Sequence, residues 1–178
     1  MNHPARFPKP CRYNGRQYVK KHKIEINLEV YDSVSELPQD IQKLMNKAQQ
    51  AREDAYAPYS RFKVGAALQL DSGETIIGNN QENAAFPSGL CAERVAIYQA
   101  GAAYPTASVK TMAITARSLK QETTTPIPPC GACRQAIAEY EIKQESPIAI
   151  YFMGETGKVA KAASIADLLP LLFDKSYL

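Results

Sequence analysis

From Lys23 to Tyr31 the chain alternates apolar and polar residues without a break (Lys23-Ile24-Glu25-Ile26-Asn27-Leu28-Glu29-Val30-Tyr31). That period of two predicts a half-buried strand. The period then lengthens. Ile41, Leu44, Met45 and Ala48 recur at i, i+3, i+4 and i+7, one face of a helix that Leu37-Pro38 opens and that ends near Tyr56-Ala57-Pro58. Two strands, 63–70 and 74–77, flank Asp71-Ser72-Gly73, which reads as a hairpin turn. A loop over 79–90 leads into a second helix over 91–100, with Gly101 expected as its stop. Residues 109–115 read as a short strand, and the polar, proline-rich stretch 118–129 as a loop. A third helix begins near Gly131, with Cys133, Ala136, Ile137 and Tyr140 on one face. The apolar run 147–153 predicts a buried strand, 158–162 a partner beside it, and 164–172 a last helix. Helices alternating with strands, without repeats or linkers, predict one layered α/β domain over 23–178, in which 23–37 is an additional N-terminal strand and connection.

Composition narrows the class. A chain of 178 residues with 45% hydrophobic positions can bury one good core without disulfide staples. No run approaches the ~18 apolar residues of a membrane helix. Met1 to Ala5 show no apolar signal core, so a cytoplasmic protein is the expectation. Net charge is +3, but seven of the 21 Lys and Arg lie within residues 1–23, where there is no acid. The remainder carries 14 basic against 18 acidic residues. Residues 1–22, with Pro4, Pro8, Pro10 and Gly15, are therefore read as a poorly ordered basic arm. The slightly acidic body argues against a large nucleic-acid groove, whose affinity rests on phosphate neutralisation.

The candidate chemistry sits where two loops run into two predicted helices. One fragment is Cys91-Ala92-Glu93-Arg94; the other is Pro129-Cys130-Gly131-Ala132-Cys133-Arg134. In a reducing compartment, C-x-x-C favours metal binding or redox chemistry over a structural bridge. Three thiolates can hold one Zn²⁺ and leave its fourth position to water. Helix N-termini favour anionic sulfur. Three thiolates leave the site at net charge −1, which Arg94 and Arg134 are expected to offset through hydrogen bonds to sulfur. Glu93 is the candidate acid–base group. It would take a proton from the activated water and deliver protons to the pyrimidine N3 and to the departing amine. Residues i and i+2 do not share a helix face, so Cys91 and Glu93 can cooperate only if the metal sits off the helix end. The compound pattern, [HC]-x-E followed by P-C-x-x-C, is the signature of zinc nucleobase deaminases. A thioredoxin-like pair, and a closed four-cysteine site completed by Cys11, are the competing readings of the cysteines.

The chain resembles the small homotetrameric cytidine deaminase family, the kind with three cysteine ligands. The likeness runs over about 38–175. It is carried by the run from Ala55 to Leu68 (Ala55-Tyr56-Ala57-Pro58-Tyr59-Ser60-Arg61-Phe62-Lys63-Val64-Gly65-Ala66-Ala67-Leu68), by Asn80-Gln81-Glu82-Asn83-Ala84-Ala85-Phe86, by the two cysteine fragments and by Leu168-Leu169-Pro170-Leu171-Leu172-Phe173. The resemblance implies a three-layer α/β/α fold with a mixed central sheet, a bound zinc and a homotetramer. It implies that Cys91, Cys130 and Cys133 are the metal ligands and Glu93 the proton shuttle. It implies that Asn80 and Glu82 hold the ribose 3′-hydroxyl, that Phe62 lies near the nucleoside, that the Ala92 N–H meets the pyrimidine O2, and that Phe173 reaches a neighbouring subunit's site. Phe86 stands where the family usually has Tyr. Core packing is the competing reading for Phe62 and, more strongly, for Phe173, and without the motif Asn80 and Glu82 read as turn residues.

The expected activity is hydrolytic deamination of cytidine and deoxycytidine in pyrimidine salvage. The alternatives are a deaminase of a nucleoside antibiotic or of nucleic-acid cytosine, and a non-catalytic zinc module that binds nucleic acid through the basic arm.

Overall fold

A computed structural model describes residues 21–178, together with the backbone of two short strands, β1 (Arg12–Tyr13) and β2 (Arg16–Gln17), which pair antiparallel. That ribbon falls within the stretch read as an irregular arm; the rest of residues 1–20 lies outside the described residues.

A six-stranded sheet forms the middle layer, made of β3 (Leu28–Tyr31), β4 (Phe62–Leu70), β5 (Thr75–Asn79), β6 (Val109–Ser118), β7 (Ala149–Met153) and β8 (Val159–Ala162). Its spatial order is β3-β8-β7-β6-β4-β5. Neighbours are antiparallel except β6 and β7, which run parallel. A parallel pair needs a crossover, here the helix α3 (Gly131–Gln144).

The period-two pattern of β4 sorts the core. Ala66, Leu68 and Leu70 point toward α2 (Ala92–Ala103) and α3, joining Ala96, Ile97, Ile114, Ile137 and Ile150 in the larger cluster. Ala67 points to the other face, where Leu44, Met45 and Ala48 of α1 (Gln39–Glu53) pack with Ala113 and Met153. The three layers are therefore α1, sheet, and α2 with α3, as the resemblance implies. Among the described residues no helix is long and apolar enough to cross a membrane.

Three local expectations are corrected. The regular strand near the N-terminus spans only Leu28–Tyr31, and Ile24, Ile26, Leu28 and Val30 are exposed. β3 is an edge strand paired to β8, whose four residues run out opposite Leu28. Gly101 does not stop α2, which runs on to Ala103; the missing Cβ instead admits the Tyr140 ring, whose Oη would lie 2.2 Å from it. Residues 164–172 hold only a 3-10 turn, Ile165–Asp167. Ser164 starts it by accepting the Ala166 N–H, and Pro170 disfavours helical geometry at Leu169.

Candidate active site

Cys91 and Cys130 stand immediately before α2 and α3, each in extended backbone (φ −74°, ψ 155° and φ −67°, ψ 166°). Neither thiol caps its own helix, so both remain available to a metal. Cys133 lies in the first turn of α3. The sulfurs of Cys91 and Cys130 are 3.8 Å apart, those of Cys130 and Cys133 3.5 Å, and all three lie within 4.8 Å of one another. Thiolates about 2.3 Å from a tetrahedral zinc are spaced about 3.8 Å from each other. The donor set and its spacing fit Zn²⁺. Cys11 lies outside the described residues.

Cys91 is the thiol poised to ionise. The Cys133 thiol lowers Cys91, burial opposes this, and Arg94 and Cys130 lower it further, to about 5. Cys133 is pushed up by the same contact with Cys91, by burial and by Glu93. The pair thus holds one proton tightly, and metal binding must release it. Arg94 Nη2 lies 3.8 Å from Cys91 Sγ, as expected of a counter-charge.

Glu93 is the second residue of α2 and is 4% exposed. Burial raises its carboxyl to about 7, with the Cys91 thiolate adding to the effect. Its Oε2 is buried without a hydrogen-bond partner, and so is Arg94 Nε. Unpaired buried oxygens are costly, so an orphan beside three thiols marks a place kept for a ligand. Cys91 and Glu93 line the same cavity because Cys91 is extended and outside the helix; the i, i+2 restriction does not reach it.

That cavity measures about 850 Å³ and also takes in Phe62, Asn80, Glu82 and Cys130. Paired bonds between Gln81 and Leu90 (2.9 and 3.0 Å) lay the Asn80–Glu82 segment beside Cys91. Asn80 is nearly buried; its Oδ1 accepts the Val64 N–H at 2.8 Å and its Nδ2 donates to the Phe62 carbonyl at 2.9 Å. Glu82 Oε2 accepts the backbone N–H groups of Tyr59 (2.9 Å) and Ser60 (3.3 Å). Burial would raise Glu82, but bonds from Ser60 and Tyr59 outweigh it and hold the carboxyl below its ordinary range.

Sequence reasoning missed several walls of this cavity: Tyr59, Ser60, Val64, Ile114, Ala116, Ile127 and Pro128. Val64 was findable, since it shares a strand face with Phe62. Ile127 and Pro128 sit in an irregular loop that carries no periodic signal. Phe86 also lines the cavity, meeting Tyr59 edge-on at 6.1 Å and 71°.

Three expected residues are absent from this cavity wall: Phe173, whose expected place is a neighbouring subunit's site, Arg134 and Ala92. Phe173 is 59% exposed, stacks on Tyr177 and is not part of the cavity wall. Arg134 does not approach sulfur in the expected way. Its Nε donates to the Pro129 carbonyl at 2.8 Å and its Nη1 to the Leu168 carbonyl at 2.7 Å, because the chain leaving β8 brings that carbonyl within reach of α3. Ala92, the first residue of α2, is buried against β5, where a Cβ on Gly78 would lie 2.5 Å from the Ala92 carbonyl oxygen.

Residues 38–146 match the family model described as the cytidine and deoxycytidylate deaminase zinc-binding region. A cytidine deaminase from Sporosarcina psychrophila is 39% identical over 136 residues, covering 76% of this chain and 93% of that protein. One from Halalkalibacterium halodurans is 48% identical over 100 residues, 56% of this chain and 71% of that protein. The crystal structure of cytidine deaminase from Burkholderia pseudomallei superposes with a TM-score of 0.65 at 38% identity, covering 77% of this chain and all of that one. On its fold, its cysteine cluster and these likenesses, the chain belongs to the zinc-dependent cytidine and deoxycytidylate deaminase family.

Proposed function

We propose that this protein hydrolyses cytidine and deoxycytidine to uridine and deoxyuridine, releasing ammonia. The observation that carries the reading is the orphaned, buried carboxyl oxygen of Glu93 beside three thiols on a cavity large enough to admit a nucleoside. Cys91, Cys130 and Cys133 would hold the zinc, which when bound would supply a Lewis-acid position that acidifies water. Glu93, with its pKa raised to about 7, is matched to both halves of proton transfer at neutral pH. It takes a proton from the attacking water and protonates N3, which makes C4 electrophilic. It then delivers the second proton to the leaving amine. Water supplies the oxygen of the new carbonyl, and ammonia departs.

Asn80 and Glu82 receive the sugar, and Phe62 offers a ring to the base. The backbone N–H of Ala92 would meet O2. Among the described residues lining the cavity, Arg94 is the sole Lys or Arg, and it faces Cys91. The phosphate of a nucleotide would find no second cation among the described residues that line the cavity, which favours a nucleoside over a nucleotide. The place of the protein in pyrimidine salvage, a cytoplasmic location and a homotetramer in which Phe173 reaches the neighbouring site belong to the same reading. The exposed, stacked Phe173 suits that last role.

An absorbance assay with cytidine, deoxycytidine, cytosine and CMP tests it. Both nucleosides turn over and the other two react poorly. Glu93→Ala loses activity while keeping stoichiometric zinc. Turnover that survives in Glu93→Ala would sink the reading. A zinc protein with no nucleoside activity that binds RNA only when residues 1–22 are present would favour the non-catalytic alternative.

A further inference from the structure

Of the three sulfur ligands, Cys133 is buried, Cys91 half-buried and Cys130 exposed. Packing therefore constrains Cys130 least, and something else must hold its thiol at the spacing a metal needs. We propose that Arg134 is the positioning residue for Cys130. It grips the two peptide carbonyls that flank the Cys130 Cα. Its backbone N–H donates to the Cys130 carbonyl at 2.9 Å, the first turn of α3. Its side-chain Nε donates to the Pro129 carbonyl at 2.8 Å. The far end of the guanidinium is anchored on the Leu168 carbonyl at 2.7 Å, and Leu168 belongs to the main core.

The chemistry of the side chain suits the task. A planar guanidinium donates in fixed, divergent directions and forms charge-assisted bonds roughly twice as strong as neutral ones. It ties the turn before the ligand to a segment some 34 residues further along the chain. An ammonium has no such rigid fork and cannot hold both carbonyls in this geometry. The neighbouring Gln135 donates to the Phe173 carbonyl at 2.9 Å and touches neither side of Cys130, which makes it the natural control.

The role rests on the reading of the three thiols as zinc ligands, and the test separates the two. Zinc release from the full-length loaded protein into excess chelator is timed with a metallochromic dye, and the thiolate-to-metal bands of the cobalt-substituted protein are recorded. Arg134→Leu is expected to speed release about 10- to 100-fold, the usual cost of losing a partner that orients a metal ligand, and to shift the cobalt bands. Arg134→Lys falls between, and Gln135→Ala releases zinc at the parental rate. Parental release and parental cobalt bands in Arg134→Leu would overturn the role. So would equal acceleration in Gln135→Ala, which would trace the effect to general loosening of the C-terminal segment. If circular dichroism shows that Arg134→Leu does not fold, Arg134→Lys decides: a parental rate there overturns the role. A parent protein that retains no zinc defeats the ligand reading instead.

Discussion

Asn80 holds Val64 in place: its side-chain Oδ1 accepts the Val64 N–H at 2.8 Å, while the Asn80 backbone N–H donates to the Val64 carbonyl at 3.1 Å. The residue assigned to the sugar is thus also the clasp that fixes β4 where it enters the cavity. Its Nδ2 reaches the Phe62 carbonyl as well. Asn80→Ala strips partners from two backbone groups. It is expected to cost about 1–3 kcal/mol of stability, read from urea unfolding, and to raise KM for cytidine because Phe62 loses its anchor. Unchanged unfolding with a raised KM would leave Asn80 a pure ligand group.

Glu82 links the cavity to acid stability. Its carboxyl is held below the ordinary value by bonds that form only in the folded turn around Tyr59 and Ser60. A depressed acid contributes stability that is present above its unfolded pKa and lost as pH falls through the folded one. The parent should therefore lose part of its stability on acidification below about pH 4.5, and Glu82→Gln should lose less over the same window. Parallel melting curves against pH for the two proteins would refute this.

Gly78 is where α2 comes closest to the sheet. A Cβ there would lie 2.5 Å from the Ala92 carbonyl oxygen and 2.7 Å from the Ala96 nitrogen. Neither atom is the end of a flexible side chain, so the helix itself must move. Gly78→Ala is expected to destabilise by about 1–3 kcal/mol and to depress kcat, since Cys91 and Glu93 travel with the start of α2. A variant with full activity and an unchanged melting temperature would contradict the tight packing.

Arg94 carries the charge balance. Its Nη2 lies 3.8 Å from Cys91 Sγ and its Nε is buried without a partner. Arg94→Gln should lower kcat about 10- to 100-fold even when fully loaded with zinc, whereas Arg134→Leu weakens metal retention and should keep its kcat per bound zinc. Metal titration and steady-state kinetics on the two variants distinguish these effects.

Legibility along the chain followed the range of the forces involved. α1 was readable because Ile41, Leu44, Met45 and Ala48 mark one face, and that face is the one buried. The turns into α2 and α3 were readable because the thiols and Glu93 are constrained by chemistry as well as by packing. The strand over 23–31 was over-read. Its alternation is real, but the exposure of Ile24 and Ile26 shows that a period of two does not guarantee a covered face. Gly101 was misread because its meaning depends on Tyr140, a residue on another helix.

The amino-acid order alone pointed to the zinc chemistry, to the residues expected to perform it and to the layered α/β class, since ligand type, spacing and hydrophobic period are properties of short segments. Only the tertiary structure decided that Arg134 serves carbonyls and not sulfur, that Asn80 braces β4, and that Ile127 and Pro128 close the cavity. Each of those roles depends on which distant backbone groups come within hydrogen-bonding or contact distance, and the packing of α1, α2 and α3 on the two faces of the sheet settles that.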